Sequence, residues 1–304
     1  MTTTALLRKA AALCLAGLSV LATGAAAAAP LSYQELLARD RPAATKRIPY
    51  GALPSQFGEL WLPTDGGRHR VVVLIHGGCW SALFPGLEMM SYLADDLRRR
   101  GNAVWNIEYR RLGEAGSGYP GSFDDIGRGI DWLATLAKTY PLDLGNVVVV
   151  GHSAGGHFAL WAAARPRLPA DSLLFRKEPL RIKGVVSLAG IADLKLYRAR
   201  GPGQCSEARV VNLLVNAEAR WSEDVFADTS PAAMLPLGVP QIVISGAYDS
   251  IVPPAFGRYY SQMAATAGDK VEEITIPNAG HFELIDPKGP AFEQVRAAIE
   301  RLQK

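Results

Sequence analysis

A serine within a glycine-rich pentapeptide is the clearest chemical signal in this sequence. Gly151-His152-Ser153-Ala154-Gly155 follows the apolar run 147–150 and precedes the helix-like stretch 158–164. A G-x-S-x-G pattern between a strand and a helix is typical of a nucleophile elbow, a tight turn that exposes the serine Oγ above the sheet. Its glycines are needed where backbone crowding leaves no room for Cβ atoms. We therefore predict that Ser153 is a nucleophile. The alternative is a plain strand-to-helix turn with an incidental serine.

A serine hydroxyl attacks only when a base removes its proton, so a histidine and a carboxylate should accompany Ser153. Asp249 follows the apolar run 241–245, and His281 follows the run 271–276. Both runs read as strands, which places all three residues at strand carboxyl ends. We predict that His281 is the general base and that Asp249 orients it.

Asp249 and His281 also have alternative interpretations. Asp249 could be a turn residue, because Asp-Ser before Pro-Pro suits a loop. Asp193 is then the second choice for the acid, whereas Glu283 and Asp286 are less well placed. His281 could similarly be an ordinary loop histidine.

The attack creates an oxyanion that needs preorganised donors. His76-Gly77-Gly78-Cys79-Trp80 follows the predicted strand 71–76, and such a Gly-rich loop can turn its amides toward the nucleophile. We assign the donors to the amides of Gly78 and Cys79, to within one residue in register, together with Ala154. A His-Gly-Gly turn that simply ends a strand is the alternative.

The remaining histidines and two aromatic residues have less specific roles. We expect His76 to hold the oxyanion loop, His152 to pack in the elbow and His157 to be buried and hydrogen-bonded. None of them has a partner at metal-ligand spacing, so the histidines predict no metal site. Trp80 and Tyr109 could bind substrate in the acyl pocket, or they could belong to the core.

These residues require a sheet that brings strand ends together. From about residue 45 the chain alternates β-branched runs with amphipathic stretches, which predicts an α/β fold with a mostly parallel central sheet flanked by helices. An antiparallel pair is expected at 47–50 and 59–62. The predicted parallel strands are 71–76, 103–109, 146–151, 182–188, 241–245 and 271–276.

Helices are expected at 87–99, 124–138, 255–267 and 290–302. Gly101 should end the first in a left-handed conformation, Ser122 and Asp125 resemble a capping box for the second, and Pro290 suits the first turn of the last. Residues 190–238 do not fit the alternation and show only short helical hints, such as 210–216. An unusually long connection is commonly functional, so we read it as a short lid or pocket wall.

The first 29 residues have the layout of a secretory signal peptide. Arg8 and Lys9 precede the apolar run 10–20, and small residues at 25–29 fit a cleavage site. A membrane anchor is the alternative, although this Ala-, Gly- and Thr-containing run is weak for full spanning. We predict a cleaved signal, a secreted or periplasmic protein without stable membrane insertion, and a single domain at 30–304.

Charge and cysteine content change when that segment is removed. Of the 32 basic residues, 30 remain against 29 acidic ones, so the net charge falls from +3 to +1. Since no basic face emerges, we predict no nucleic-acid partner. Two of the three cysteines remain, Cys79 and Cys205, and an oxidising location permits a disulfide between them. That bridge would tie the oxyanion loop to the 190–238 insertion.

Two motifs and the chain order Ser, Asp, His resemble those of α/β-hydrolase esterases. The motifs are H-G-G-x-W at residues 76–80 and G-H-S-A-G-G-H at 151–157. The resemblance is to the hormone-sensitive-lipase-like and kynurenine-formamidase-like groups and is greatest to the latter, because the third glycine of H-G-G-G is lacking. It implies the α/β-hydrolase fold and cofactor-free hydrolysis of carboxylic esters or arylformamides by Ser153, Asp249 and His281.

Three functions follow in order of preference. The first is an exported serine esterase acting on small or aromatic acyl esters through an acyl-enzyme. The second is an arylformamidase or peptidase, which ranks lower because N-formylkynurenine is an intracellular metabolite. The third is a non-catalytic binding protein with a hydrolase fold. The expected partner is a small-molecule ester or amide, and the sequence predicts no oligomeric state.

Overall fold

The computed structural model describes residues 30–304. The predicted signal peptide at 1–29 lies outside the described residues. Within residues 30–304, no helix is both long and apolar enough to cross a membrane.

One eight-stranded sheet forms the centre of the described chain, with strand order β1-β2-β4-β3-β5-β6-β7-β8. β1 pairs antiparallel with β2, β2 pairs antiparallel with β4, and every pair from β4 to β8 is parallel. This confirms both the mostly parallel sheet and the initial antiparallel pair. The strands are β1 Lys46–Pro49, β2 Phe57–Trp61, β3 His69–Ile75, β4 Ala103–Ile107, β5 Leu142–His152, β6 Gly184–Leu188, β7 Gln241–Gly246 and β8 Val271–Ile276.

Helices flank this sheet. α2 packs on β4, α5 packs on β5 and β6, α8 packs on β7 and β8, and α9 packs on β5 and β6. The helices are α1 Tyr33–Leu37, α2 Ser91–Arg99, α3 Gly121–Asp131, α4 Leu133–Leu136, α5 Ala154–Ala164, α6 Leu194–Arg200, α7 Glu207–Leu214, α8 Pro254–Thr266 and α9 Phe292–Leu302.

The apolar runs form strands because both faces of the sheet are covered. Val71 to Ile75 of β3 and Val147 to Val150 of β5 have no exposed surface. A strand buried on both faces gains from apolar side chains at every position rather than at alternate ones. The two central strands therefore form a rigid support for the loops that follow their carboxyl ends.

Two helix starts differ from the prediction. Ser122 is not a cap: it lies inside α3, where its hydroxyl donates to the Arg110 carbonyl and accepts from the Gly118 amide. Because those bonds secure the preceding loop, the helix begins earlier. α9 begins at Phe292, two residues after Pro290. The expected left-handed Gly101 is confirmed by its φ of 84°.

The segment 190–238 contains more helix than its sequence indicates. α6 and α7 pack against each other, and a short 3₁₀ helix spans Pro231–Met234. This segment leaves the carboxyl end of β6 and contains Cys205, which forms a disulfide with Cys79, 126 residues earlier. The segment is thereby attached to the loop that follows β3.

Candidate active site

Ser153 lies at the sharp turn between the end of β5 and the start of α5. Its φ of 55° and ψ of −121° are strained for a residue with a side chain. A Cβ on Gly155 would lie 2.1 Å from the Ile75 carbonyl oxygen, and one on Gly151 would lie 2.0 Å from the Gly155 carbonyl oxygen. Neither position can hold another residue without backbone movement, which is the steric reason for the spacing of the motif.

His281 and Asp249 are in direct contact. The Nδ1 of His281 donates to Asp249 Oδ2 at 2.6 Å, and both side chains are buried. The other carboxylate oxygen, Oδ1, accepts from the amides of Ile251 and Val252, each at 2.8 Å. The carboxylate is thus fixed by its own loop, and the histidine ring is oriented by the carboxylate.

The other candidate acids have different partners. Asp193 caps α6 by accepting from the Leu196 amide. Glu283 accepts from the amides of Leu31 and Gly280. Asp286 binds Arg39 through both carboxylate oxygens. Among the described carboxylates, Asp249 is therefore the one that contacts the His281 ring.

Ser153 and His281 line one cavity of about 270 Å³. The Ser153 hydroxyl has no hydrogen-bond partner within residues 30–304, and bonds between a catalytic serine and its histidine often tighten only with substrate. The cavity wall is mainly apolar. Its other residues are Ser32, Tyr33, Gln34, Gly78, Cys79, Phe84, Pro85, Met89, His152, Gln204, Ile251 and Phe282.

The loop after β3 approaches the elbow closely. A Cβ on Gly77 would lie 2.9 Å from both the His152 carbonyl oxygen and the Ser153 Cβ. Gly78 and Cys79 follow with positive φ values of 101° and 51°. Within residues 30–304, neither of their amides donates to another backbone group. Both residues line the cavity, so these amides are available to an anion beside Ser153, as is that of Ala154 at the start of α5.

A buried hydrogen bond between His76 and Glu108 supports this loop from behind. His76 Nε2 donates to Glu108 Oε1 at 2.8 Å, and the Glu108 carboxylate also accepts from the amides of Tyr109 and Leu87. Burial alone would raise the pKa of Glu108, but the charges and hydrogen bonds of His76, Arg111 and the Tyr109 amide outweigh it and lower that pKa to about 2. Glu108 is therefore ionised at neutral pH and anchors the first residue of the oxyanion loop.

Trp80 supports the end of the same loop and does not line the cavity, which corrects its predicted substrate-binding role. Its ring is fully buried, and its Nε1 donates to His157 Nδ1 at 3.1 Å. His157 Nε2 in turn donates to the Thr229 carbonyl oxygen at 2.8 Å. Burial lowers the pKa of His157 to about 4, so the ring is neutral and can accept from Trp80.

Tyr109 is likewise absent from the cavity wall, and its predicted substrate contact is corrected in the same way. The side chain is fully buried and stacks on His76 with ring centroids 4.5 Å apart. Its hydroxyl donates to the His76 carbonyl oxygen at 3.1 Å. Tyr109 follows the end of β4, as predicted, but its hydroxyl provides the hydrogen bond that the buried His76 carbonyl requires.

His152 supports the base rather than the nucleophile. Its Nε2 donates to the main-chain carbonyl oxygen of His281 at 3.0 Å, and the two rings lie 4.5 Å apart. Burial, with His281 as a second cause, lowers the pKa of His152 well below its usual value. The neutral ring thus holds the His281 loop without adding a charge beside it.

One wall of the cavity, formed by residues 32–34, was not predicted from the sequence. Ser32, Tyr33 and Gln34 begin α1 and lie against the loop of His281, where Tyr33 packs edge-on against Phe282. Ser32 and Glu35 form a capping box at this helix. The S-x-x-E spacing was visible in the sequence and could have predicted the helix, although not its position.

The arrangement is suited to acyl transfer. It brings together a serine, a carboxylate-oriented imidazole and free main-chain amides in an apolar cavity. No group of three or more His, Cys, Asp or Glu residues within the described chain is arranged to hold a metal ion.

Known proteins resemble this chain in sequence and in fold. A family model described as BD-FAE matches residues 59–262, which contain the oxyanion loop, the elbow and Asp249. Kynurenine formamidase from Salmo salar is 24% identical over 251 residues, or 79% of this chain and 75% of that protein.

Two further relatives are esterases by name. The probable carboxylic ester hydrolase LipM from Mycobacterium tuberculosis is 25% identical over 237 residues, covering 75% of this chain but only 53% of LipM. This chain therefore spans about half the length of LipM. The structure of esterase B from Lactobacillus rhamnosis superimposes with a TM-score of 0.74 at 19% identity, over 89% of this chain and 90% of the other.

Proposed function

The chain belongs to the BD-FAE family and is a carboxylic ester hydrolase with the α/β-hydrolase fold, and we propose that it is an exported serine esterase for small or aromatic acyl groups. The observation that carries the proposal is the His281–Asp249 contact at 2.6 Å beside the cavity of Ser153. A buried carboxylate on Nδ1 leaves Nε2 as the nitrogen that serves the serine.

The proposed reaction begins with acylation. Ser153 Oγ attacks the ester carbonyl carbon while His281 Nε2 takes the hydroxyl proton, and Asp249 stabilises the resulting imidazolium. The carbonyl oxygen becomes an oxyanion that accepts from the amides of Gly78, Cys79 and Ala154. His281 then returns the proton to the alkoxy oxygen as the C–O bond breaks, so the alcohol leaves and the acyl group stays on Ser153.

Deacylation repeats these steps with water. His281 removes a proton from the attacking water, the same amides stabilise the second oxyanion, and the proton returns to Ser153 Oγ as the acid leaves. The neutral His152 supports this cycle, because a charged ring 4.5 Å from His281 would oppose the imidazolium.

The lining of the cavity supports the acyl preference. Tyr33, Phe84, Met89 and Phe282 provide apolar surface, and about 270 Å³ suits a compact acyl group better than a long chain. An apolar pocket distinguishes acyl groups by shape and apolar contact. A single methylene added or lost changes its selectivity only modestly.

Export is supported by two independent features. The first 29 residues have the charge and hydropathy layout of a cleaved signal. The disulfide between Cys79 and Cys205 belongs to an oxidising compartment such as the periplasm or the outside of the cell.

Arylformamide hydrolysis is the second candidate. The match to kynurenine formamidase over 79% of this chain favours it, and the same serine and histidine would serve an amide. Relative rates on N-formylkynurenine, short esters and peptide amides distinguish the two functions and also test for a peptidase.

The decisive experiment pairs a substrate panel with one serine substitution. Ser153→Ala should reduce kcat on short p-nitrophenyl esters by at least about 10⁴-fold, because removal of the nucleophile leaves only binding and oxyanion stabilisation. Ser222→Ala, which changes an exposed serine, is the matched control and should keep full activity. A wild type that neither turns over any substrate nor is labelled at Ser153 by a fluorophosphonate would instead indicate a non-catalytic binding protein.

A further inference from the structure

An open groove adjoins the candidate cavity at the disulfide. This groove has a volume of about 520 Å³ and shares Cys79, Phe84 and Gln204 with the cavity. Cys205 lines the groove but not the cavity, so the disulfide marks the border between the two spaces. Because they share three residues, the two spaces are direct neighbours.

Apolar side chains cover most of the groove. Leu83 is 92% exposed and Leu213 is 53% exposed, and the partly buried Leu112 and Val210 lie between them and the core. Large apolar residues at such exposure lose contact with water when a ligand covers them. Arg209 is the one charged residue in this lining, and it forms no ion pair with another described residue.

We infer that this groove binds the alcohol part of the substrate, and that this part is an apolar alkyl or aryl group. The inference rests on the proposed function. In an acyl-enzyme reaction the alcohol leaves first, whereas the acyl group stays on the serine until water attacks. The site of the alcohol therefore needs an open path to solvent, which the groove has. The smaller cavity beside Ser153 suits the group that is retained.

The test compares two ester series in the whole protein. From ethyl to octyl acetate only the alcohol lengthens, and from ethyl acetate to ethyl octanoate only the acyl group lengthens. We expect kcat/KM to rise along the alcohol series, because each methylene buried in the groove adds favourable apolar contact. In the variant Leu83→Ser/Leu213→Ser, kcat/KM for octyl acetate should fall about tenfold while that for ethyl acetate is unchanged.

Two variants control this result. Leu173→Ser removes a leucine that is 66% exposed in a different cavity, and it should leave the octyl-to-ethyl ratio unchanged. Arg209→Gln removes the charge from the groove itself and should also leave that ratio unchanged, since the occupant is apolar. A ratio that responds to Arg209→Gln as strongly as to the leucine variant would overturn the assignment, and so would a chain-length preference confined to the acyl series.

A binding measurement separates this inference from the proposed function. Saturation-transfer NMR with 1-octanol on Ser153→Ala needs no turnover, and signal that disappears in Leu83→Ser/Leu213→Ser supports the groove even if no ester is hydrolysed. Octanol signal that is equal with and without the two leucines would overturn the groove assignment, even if every ester is a substrate.

Discussion

The turn that holds Ser153 and the loop that follows β3 line the same cavity, yet they are stabilised in different ways. Both contain residues with positive φ: Ser153 in the elbow, and Cys79 and Trp80 in the loop. The elbow is fixed by the strand before it, the helix after it and glycines that admit no side chain. The oxyanion loop has no regular structure and depends on side chains from elsewhere.

Those side chains come from far along the chain. Glu108 holds His76 from 32 residues away, His157 holds Trp80 from 77 residues away and Cys205 holds Cys79 from 126 residues away. The strained elbow is thus stabilised by local geometry, and the strained loop is stabilised by three long-range contacts. A single substitution should therefore destroy the elbow, whereas the loop should lose its order in steps.

The largest effect is expected at the elbow. In Gly155→Ala the new Cβ would meet the Ile75 carbonyl oxygen at 2.1 Å, and backbone there cannot move without opening β3. We expect the variant to lose more than about 4 kcal/mol of unfolding free energy or to yield no folded protein. The control is Gly145→Ala, where the nearest atom is a flexible Asp143 oxygen at 3.4 Å. Urea unfolding curves that coincide for Gly155→Ala and wild type would contradict the steric argument.

An intermediate effect is expected from the disulfide. Replacing both Cys79 and Cys205 by serine should cost about 2–4 kcal/mol, because the bridge closes a long loop in the unfolded chain. Since Cys79 lines the cavity and its amide is a proposed oxyanion donor, kcat should also fall by about ten- to a hundredfold. Dithiothreitol should reproduce both losses in wild type and change nothing in the double variant. Full activity of that variant would show that the loop does not need this anchor.

The smallest effect concerns His157 and pH. Its pKa of about 4 in the folded protein lies below the ordinary value of about 6.5, so the unfolded chain takes up the proton first as pH falls. Stability present above pH 6.5 is therefore lost toward pH 4, by about 2 kcal/mol between pH 7 and 5.

His157→Gln should be less stable at pH 7, where it weakens the contact with Trp80, but its unfolding free energy should fall less steeply below pH 6.5. His152 remains buried in the variant and should retain part of the slope. Chemical unfolding at half-unit pH steps measures both curves, and their slopes should agree from pH 7 to 9. Equal slopes at acidic pH would mean that His157 titrates normally.

The contrast between elbow and loop also explains what the sequence could predict. The parallel strands, the antiparallel pair and the elbow follow from apolar runs and glycine spacing, which are local patterns. The contact of His281 with Asp249 followed from strand ends that meet at one edge of the sheet. His157 was correctly expected to be buried and hydrogen-bonded, but its contact with Trp80 was not predicted. The anchor Glu108 and the wall at Ser32 to Gln34 were not predicted either, because each depends on where a distant segment packs. Trp80 and Tyr109 were misplaced for the same reason.

The start of the described chain has a practical consequence. Pro30 and Leu31 lie on the loop of His281, where the Leu31 amide donates to Glu283 Oε1, and the next three residues form a wall of the cavity. A chain that begins at Pro30 would therefore have its amino terminus beside the candidate cavity. An affinity tag fused ahead of Pro30 would be carried beside that cavity, whereas a tag after Lys304 would follow the last turn of α9. A carboxyl-terminal tag therefore leaves the amino-terminal wall of the cavity unaltered.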